Sequence, residues 1–520
     1  MPKEFGDFQT PPALVQDILH YLTANGQIWN RVIEPACGCG NFITGLLNLP
    51  NPPREIQGIE IQDYYVKIAR KMAETSSTSH ITITKSIVFD LDFKLDFQWQ
   101  GNGKLLVIGN PPWVTNSQLG TDDSTNLPKK SNLKGLRGID ALTGSSNFDI
   151  SEYIWIKLLR ELADQQPTIA LLCKTSVARN VLQFAYGNQL PIKKATIRLI
   201  DAKKWFHAAV SACLFCVEMG TKKGNYQAEI YRDFSEVEPI SRIGIIQGKL
   251  ISDMDSYQKS QVIEGICPLT WRQGIKHDAA SVIELTSDSQ GFLKNKLGET
   301  VNIEAEYIYP LLKSSDLFNQ EIINPHKYAI ITQKNLKEDT NNLEKIAPQL
   351  WTYLTTYKTI FDKRKSSIYK NRSQFSMFGI GDYTFSLYKV AISGLHKIPK
   401  FRLVSPVNNR PVMLDDTCYF LPCYSLEQAI LITTLLNHSL CLEFIYSRFF
   451  SDAKRPITKK LLQCIDLTAL LRNVDRQLVL SEVDLEFERV SKISECEKLT
   501  LSSSLEKLLL PNLNDTLLFP

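Results

Sequence analysis

The sequence predicts an α/β fold over residues 1–225 and a mixed α+β region over residues 226–520. Three observations carry that division. Leu105–Ile108 is a run of four apolar residues, two of them β-branched, and reads as a strand buried on both faces of a parallel sheet. Apolar runs of strand length alternate with helix-spaced segments from Arg31 to Val217. Beyond the turn Lys222-Lys223-Gly224-Asn225 that alternation is lost.

The first element is a helix. After Thr10-Pro11-Pro12, the residues Leu14, Val15, Ile18, Leu19 and Leu22 recur at helical spacing, with Thr10 expected as N-cap and Pro11 at the first helical position. Arg31–Glu34 is a strand that breaks into Pro35-Ala36-Cys37-Gly38-Cys39-Gly40 and then a helix over Ile43–Leu49. Small residues in such a turn let backbone come close to a ligand. The spacing misses the dinucleotide-binding fingerprint, because the third Gly falls at the wrong offset. Glu34, at the strand end, can accept a hydrogen bond from a cationic amino group. Ile56–Ile61 is a second strand, and Glu60 near its end can accept from two vicinal hydroxyls. Ile81–Asp90 is a third β-rich segment ending in another acid.

The run at Leu105 ends in Gly109-Asn110-Pro111-Pro112-Trp113. Each proline lacks an N–H and fixes its own φ, so the ladder stops and a stiff turn leaves the strand. Open α/β sheets hold their ligands at this carboxyl edge. The Asn110 side-chain oxygen and the Pro111 carbonyl can both accept from an exocyclic amino group, while the Trp113 indole offers a stacking face.

Thr115–Asn147 is polar and lacks apolar periodicity, and we expect a cover that orders on substrate, with Lys129, Lys130, Lys134 and Arg137 near phosphates. Asn147-Phe148-Asp149 opens a helix over Ile150–Leu162. The strand Thr168–Cys173, the helix Val177–Leu190 and the strand Thr196–Asp201 follow, then Trp205-Phe206 ahead of the strand Ala212–Val217.

In the second region, segments 307–313, 379–396 and 401–422 read as short β pieces. Ser425 caps one or two long helices reaching Phe450, with Leu426, Ile430, Leu435, Leu436 and Leu440 buried. Lys363, Arg364, Lys365, Tyr369, Lys370, Arg372 and Tyr388 interleave cations with aromatics, and Lys454-Arg455 and Lys459-Lys460 add more. Such a pattern fits a surface that touches nucleic-acid grooves.

A net charge of +4, with 43% hydrophobic and 22% charged residues, is that of a globular protein and permits a polyanionic partner without demanding one. No apolar run reaches membrane-spanning length and no signal-peptide core is present, so no membrane and a cytoplasmic address are expected. Among the eleven cysteines only Cys37/Cys39 and Cys213/Cys216 are close pairs. With no second pair or His pair at ligand spacing, reduced thiols and no metal are expected.

The ordered set Thr-Pro-Pro, Glu-Pro-Ala-Cys-Gly-x-Gly-x-Phe, Glu60, Asp90 and Asn-Pro-Pro-Trp resembles the γ class of DNA adenine-N6 methyltransferases found in restriction–modification systems. The resemblance implies a Rossmann-like S-adenosyl-L-methionine-dependent methyltransferase domain over 1–225 and a target-recognition region over 226–520. It implies that Thr10, Glu34, Ala36, Gly38, Glu60, Asp90 and Asn110 line the cofactor site. It also implies that Asn110, Pro111, Pro112 and Trp113 hold a flipped-out adenine, with Phe206, or its neighbour Trp205, as the opposing aromatic. The implied substrate is double-stranded DNA, and the implied partner is a separately encoded cognate restriction endonuclease. No Asp…Glu-x-Lys nuclease arrangement sits on convincing strands, so a methyltransferase without its own nuclease is expected. RNA adenine and protein glutamine methyltransferases share the Asn-Pro-Pro-aromatic turn, and N4-cytosine enzymes more often carry Ser where Asn110 stands. A catalytically idle DNA-binding specificity subunit is the alternative outside enzymes.

Overall fold

The computed structural model describes residues 8–114, 149–222, 224–319 and 325–491, in two compact units, Met1–Asp255 and Ser256–Pro520. The expected cover at Thr115–Asn147, with its four cations, lies outside the described residues.

The first unit is built on a ten-stranded sheet. Its elements are α1 (Pro12–Thr23), β1 (Arg31–Glu34), α2 (Asn41–Leu47), β2 (Glu55–Glu60), α3 (Asp63–Glu74), β3 (His80–Lys85) and β4 (Leu105–Gly109). Then come α4 (Ile150–Glu161), β5 (Thr168–Lys174), α5 (Thr175–Gly187), β6 (Ile192–Ile200), α6 (Ala202–Phe206) and β7 (Ala212–Met219). The strands β8 (Gln227–Tyr231), β9 (Ser241–Ile246) and β10 (Lys249–Ile251) complete the unit's sheet. The order across the sheet is β10-β9-β8-β6-β7-β5-β4-β1-β2-β3. The five strands from β3 to β5 are parallel, and β7 is antiparallel to both its neighbours. This is the Rossmann-like α/β fold expected.

The sheet order fixes where a ligand can sit. From β1 the chain winds outward through β2 to β3, then returns to the other side of β1 as β4. The crossovers diverge between β1 and β4, which opens a crevice at the carboxyl ends of those two strands. Glu34 ends β1 and Asn110 follows β4, so both face the switch point. Leu105–Ile108 is fully buried, as the apolar run requires. Trimming Leu106 to Ala would cost about 2–5 kcal/mol, the usual range for a buried leucine. One face of the sheet is covered by α1 and α2, whose backbones come close at Gly45. A Cβ there would lie 2.6 Å from Val15 Cγ1 and 2.8 Å from Leu19 Cδ1.

Three local expectations are corrected. The helix α1 begins at Pro12 with Pro11 as N-cap, one residue later than expected. Thr10 does not cap it; its carbonyl instead accepts from Asn41 Nδ2 at 2.8 Å, anchoring the segment to α2. The strand β3 stops at Lys85, where pairing with β2 ends at Glu60, and Asp90 lies in an exposed turn. The boundary of the first unit falls at Asp255 and not at 225. The reason is that β8 pairs in parallel with β6 and carries β9 and β10 onto the same sheet. Arg198 of β6 staples this extension: its guanidinium lies 4.2 Å from the Tyr21 ring and 4.0 Å from the Tyr231 ring, and donates to the carbonyls of Asp233 and Glu236 at 2.7 and 2.9 Å.

The second unit holds two smaller sheets, β11-β19-β16-β17 and β13-β12-β15-β14-β18, the first wholly antiparallel. Here β11 is Arg272–Gln273, β12 Glu284–Ser287, β13 Leu293–Asn295, β14 Ile308–Leu312 and β15 Lys327–Ile330. The others are β16 (Tyr388–Ser393), β17 (Arg402–Val404), β18 (Met413–Leu414) and β19 (Cys418–Cys423). The expected helical stretch is two helices, Leu426–Asn437 and Ser439–Arg448, broken at His438. Ser425 Oγ caps the first by accepting from the Gln428 N–H at 3.2 Å. Ile430, Leu435 and Leu436 are buried, whereas Leu426 and Leu440 are half-buried. No single helix among the described residues is long and apolar enough to cross a membrane. No cluster of metal-ligating side chains occurs among them, and their ten cysteines are free thiols.

Candidate active site

A cleft opens at the β1/β4 switch point, enclosing about 820 Å³ of free space, part of it open to solvent. Its lining includes Thr10, Glu34, Ala36, Gly38, Glu60, Asn110 and Pro112 of the expected site residues. These come from four separate segments, brought together because parallel strands put their carboxyl ends on one edge.

Glu34 sits at the bottom, 2% exposed. Its Oε2 is buried without a hydrogen-bond partner among the described residues. Burial, and then the nearby Glu60 carboxylate, hold the Glu34 carboxyl well above the usual carboxylate range, opposed by the Ile43 amide. An orphaned carboxylate oxygen of this kind is costly unless a donor arrives. An ammonium group would supply both the proton donors and the opposite charge. Glu60 is held differently. Its Oε2 accepts from the Gly38 N–H at 2.9 Å, and its Oε1 from the amides of Ile61 and Gln62 at 2.9 and 2.8 Å. These bonds fix the carboxylate across the Gly38 turn.

Gly38 itself has φ +51°, and a Cβ there would meet Gln9 Oε1 at 2.5 Å. Gln9 Oε1 also accepts from the Cys39 N–H at 3.1 Å. The Phe8–Thr10 segment thus forms one wall of the cleft, holding the glycine turn with one side chain and α2 with one carbonyl. Sequence reasoning singled out Thr10 here and missed Phe8 and Gln9, although both stand in the same short motif. It also missed Ile150 and Ile154 of α4, which contribute an apolar wall with Val88 and Phe89. Nothing local in α4 announces that face; only the packing of α4 against the sheet exposes it to the cleft.

The Asn110 amide is oriented by its surroundings. Nδ2 donates to the Phe8 carbonyl at 3.1 Å. A carbonyl can only accept, so Nδ2 must face it and Oδ1 is turned the other way. That Oδ1 is buried and has no partner among the described residues. The cleft therefore holds two orphaned acceptors, one on each side of the switch point. Buried acceptors of native proteins are rarely left unpaired, and a ligand with donors at these two places would satisfy both.

Four expected residues, Pro111, Trp113, Phe206 and Asp90, do not line the cleft. Pro111 and Trp113 are buried beneath the turn, and the Trp113 indole N–H donates to the Leu172 carbonyl at 3.3 Å. Phe206 ends α6 and is also buried. The rings of Trp113 and Phe206 meet edge to face, with centroids 5.1 Å apart and planes at 72°. Phe8 packs on both, at 6.2 and 6.0 Å. The two aromatics expected to face each other across a planar ligand are thus neighbours, but in contact, so a ring can enter between them only if they separate. Trp205 is half-buried beside the Lys204 ammonium, 4.5 Å from its ring, and is not part of this trio. Asp90 is exposed, one residue beyond the lining Phe89, and is not itself in the lining.

Comparison with known proteins finds a close relative. The type II methyltransferase M.NspV of Nostoc sp. is 38% identical over 470 residues, covering 90% of this chain and 97% of its own. No protein-family profile matches the chain. Among solved structures, the type IIL restriction–modification enzyme MmeI in complex with DNA is similar over 96% of this chain and 71% of its own, at 13% identity and a TM-score of 0.49. A type I restriction–modification methyltransferase subunit from Streptococcus thermophilus is similar over 43% of this chain and 46% of its own, at 12% identity and a TM-score of 0.32.

Proposed function

The chain belongs to the type II methyltransferases of restriction–modification systems, and from that premise we propose that it methylates the N6 amino group of an adenine flipped out of double-stranded DNA. The cofactor is S-adenosyl-L-methionine, which supplies an electrophilic methyl group when bound. Two orphaned acceptors in one cleft fit it and its acceptor: Glu34 Oε2 for the ammonium of the methionine moiety, and Asn110 Oδ1 for the amino group to be methylated. Glu60 would accept from ribose hydroxyls, while Thr10, Ala36 and Gly38 leave room for the amino-acid portion. Asp90 is outside this proposed set.

The observation that carries the adenine reading is the orphaned Asn110 Oδ1 beside two prolines. An aromatic amine is a weak nucleophile, because its lone pair is delocalised into the ring. Accepting its N–H bonds, at Asn110 Oδ1 and, once the aromatics part and uncover it, at the Pro111 carbonyl that lies outside the resting cleft lining, would draw the nitrogen towards tetrahedral geometry and free the lone pair. That lone pair would take the methyl group from the cofactor held by Glu34 and Glu60, which leaves as the thioether, and the extra proton would pass to solvent. No strong base is required; the gain is orientation and fixed dipoles. Trp113 and Phe206 would part to stack on the extruded base, which cannot be reached within a duplex. Residues 256–520 would read the DNA sequence, and a separately encoded endonuclease would cut the same site when it is unmethylated.

The test is to express the chain in a host lacking adenine methylation and to sequence that genome with modification-sensitive long reads. N6-methyladenine in one fixed sequence motif is expected. A genome free of it, or methylation of cytosine N4 instead, would refute the reading.

A further inference from the structure

Within the basic, aromatic-interleaved stretch of the second unit, one cation is used internally and four are not. Arg364 is the internal one. Its Nε donates to the Phe361 carbonyl at 3.1 Å, and Nη1 to the carbonyls of His277 and Ser376 at 3.2 and 2.8 Å. Nη2 donates to the Gln374 carbonyl, and the guanidinium stacks 3.7 Å from the Tyr369 ring. One planar group thus ties together both ends of segment 363–372 and a neighbouring loop. Arginine suits this role, since its rigid fork meets several acceptors at once. Held so, the segment presents Lys363, Lys365, Lys370 and Arg372 to solvent, with Ile368 exposed among them. None of the four is in an ion pair among the described residues; Arg372 makes one long bond, at 3.4 Å, to the Leu336 carbonyl. The adjoining acid, Asp362, accepts from Gln374 Nε2 at 2.8 Å.

A rigid loop that spends one arginine on its own shape and leaves four cations unneutralised matches a surface with regularly spaced negative charges. We infer that residues 363–372 form a clamp on the sugar–phosphate backbone of double-stranded DNA, contributing affinity and register but no base selection. This rests on DNA being the substrate. Phosphate contacts are independent of sequence and release counterions, so they leave a signature in the salt dependence of binding.

The experiment measures binding of the full chain to a fluorescent 24-base-pair duplex of arbitrary sequence over a series of KCl concentrations. The variant carries Lys363→Gln, Lys365→Gln, Lys370→Gln and Arg372→Gln together. A control carries Lys193→Gln, Lys194→Gln, Lys222→Gln and Lys249→Gln, which removes the same charge from exposed positions of the first unit. Each lost phosphate contact lowers the slope of log K against log salt by about 0.9, so the loop variant is expected to fall by about 2–4 and the control by less than about 1. All eight side chains are exposed, and unchanged melting temperatures would verify that both proteins fold. A loop variant with the wild-type slope, or a control that falls equally, overturns the clamp while leaving DNA as substrate intact. Failure of the wild-type chain to bind any duplex overturns the DNA reading and the clamp with it.

Discussion

Replacing Asn110 with Ala separates the chemical step from everything else the cleft does. In the resting protein the substitution removes one hydrogen bond, Nδ2 to the Phe8 carbonyl, worth about 1 kcal/mol net. It also removes a buried acceptor that has no partner, a group whose burial costs about 1–3 kcal/mol. The two effects offset, so the variant should melt within a few degrees of wild type. Glu34, Glu60 and the Gly38 turn are untouched, so the dissociation constant for S-adenosyl-L-methionine, measured by calorimetry, should change less than about threefold. Turnover should respond otherwise. Losing one placed dipole that acts on the reacting centre costs about 3–4 kcal/mol, or 10²–10³-fold in kcat. The assay is transfer of labelled methyl to duplex DNA carrying the recognition motif, at saturating cofactor and DNA. A kcat within tenfold of wild type would refute the role given to Asn110. A hundredfold loss of cofactor affinity would refute it too, by showing that Asn110 belongs to the cofactor's site and not to the acceptor's.

Other outcomes follow from the same geometry. Because the Glu34 carboxyl is held well above the usual carboxylate range by burial and by Glu60, it must give up a proton to pair with an ammonium. Cofactor affinity should therefore rise with pH until Glu34 is ionised; Glu34→Gln should bind weakly with no such rise, and an unchanged pH profile in that variant would exclude the pairing. Gly38→Ala puts a Cβ 2.5 Å from Gln9 Oε1 at a positive φ, and displacing Gln9 breaks its bond to the Cys39 amide. A loss of roughly 1–2 kcal/mol in denaturant unfolding, with weakened cofactor binding, is expected. In the second unit, Lys389 is fully buried and burial pushes its ammonium down to about 7. The folded protein thus prefers neutral lysine, so stability is fully present above the unfolded value of 10.5 and falls as pH drops towards 7. Lys389→Met should raise the melting temperature at neutral pH by relieving a cost on the order of 5 kcal/mol, and should flatten the pH dependence between 7 and 10; a variant that melts lower would contradict this.

Much of the first unit was legible from residue pattern alone. Strands buried on both faces are commonly near-continuous apolar runs, and β4, β5 and β7 carry them, whereas β1 and β2 mix Val and Ile with Glu, Gln and Gly and end in Glu34 and Glu60. The acids at those ends and the Asn-Pro-Pro-Trp turn are written in sequence order, so the composition of the cleft could be read before its shape. The cap at Ser425 was likewise a local matter, settled by a side chain that can bond to nearby backbone, whereas the sequence left one helix or two open and only the structure places the break at His438.

What tertiary structure alone decided were the pairings between distant segments. That β8 adds to β6, moving the boundary to Asp255, depends on Arg198 finding Tyr21 and Tyr231, and no local pattern encodes that meeting. Asp90 fell outside the cleft lining because β3 ends where its register with β2 ends. Arg364 reads in sequence like its neighbours, yet four backbone carbonyls claim it, while the flanking lysines stay exposed. The most consequential case is Asn110. Its identity and its place after β4 came from the sequence, but the direction of its amide was set by the Phe8 carbonyl, 102 residues away. Side-chain chemistry is a property of one residue, whereas a hydrogen bond's direction needs two, and only the folded chain brings them together.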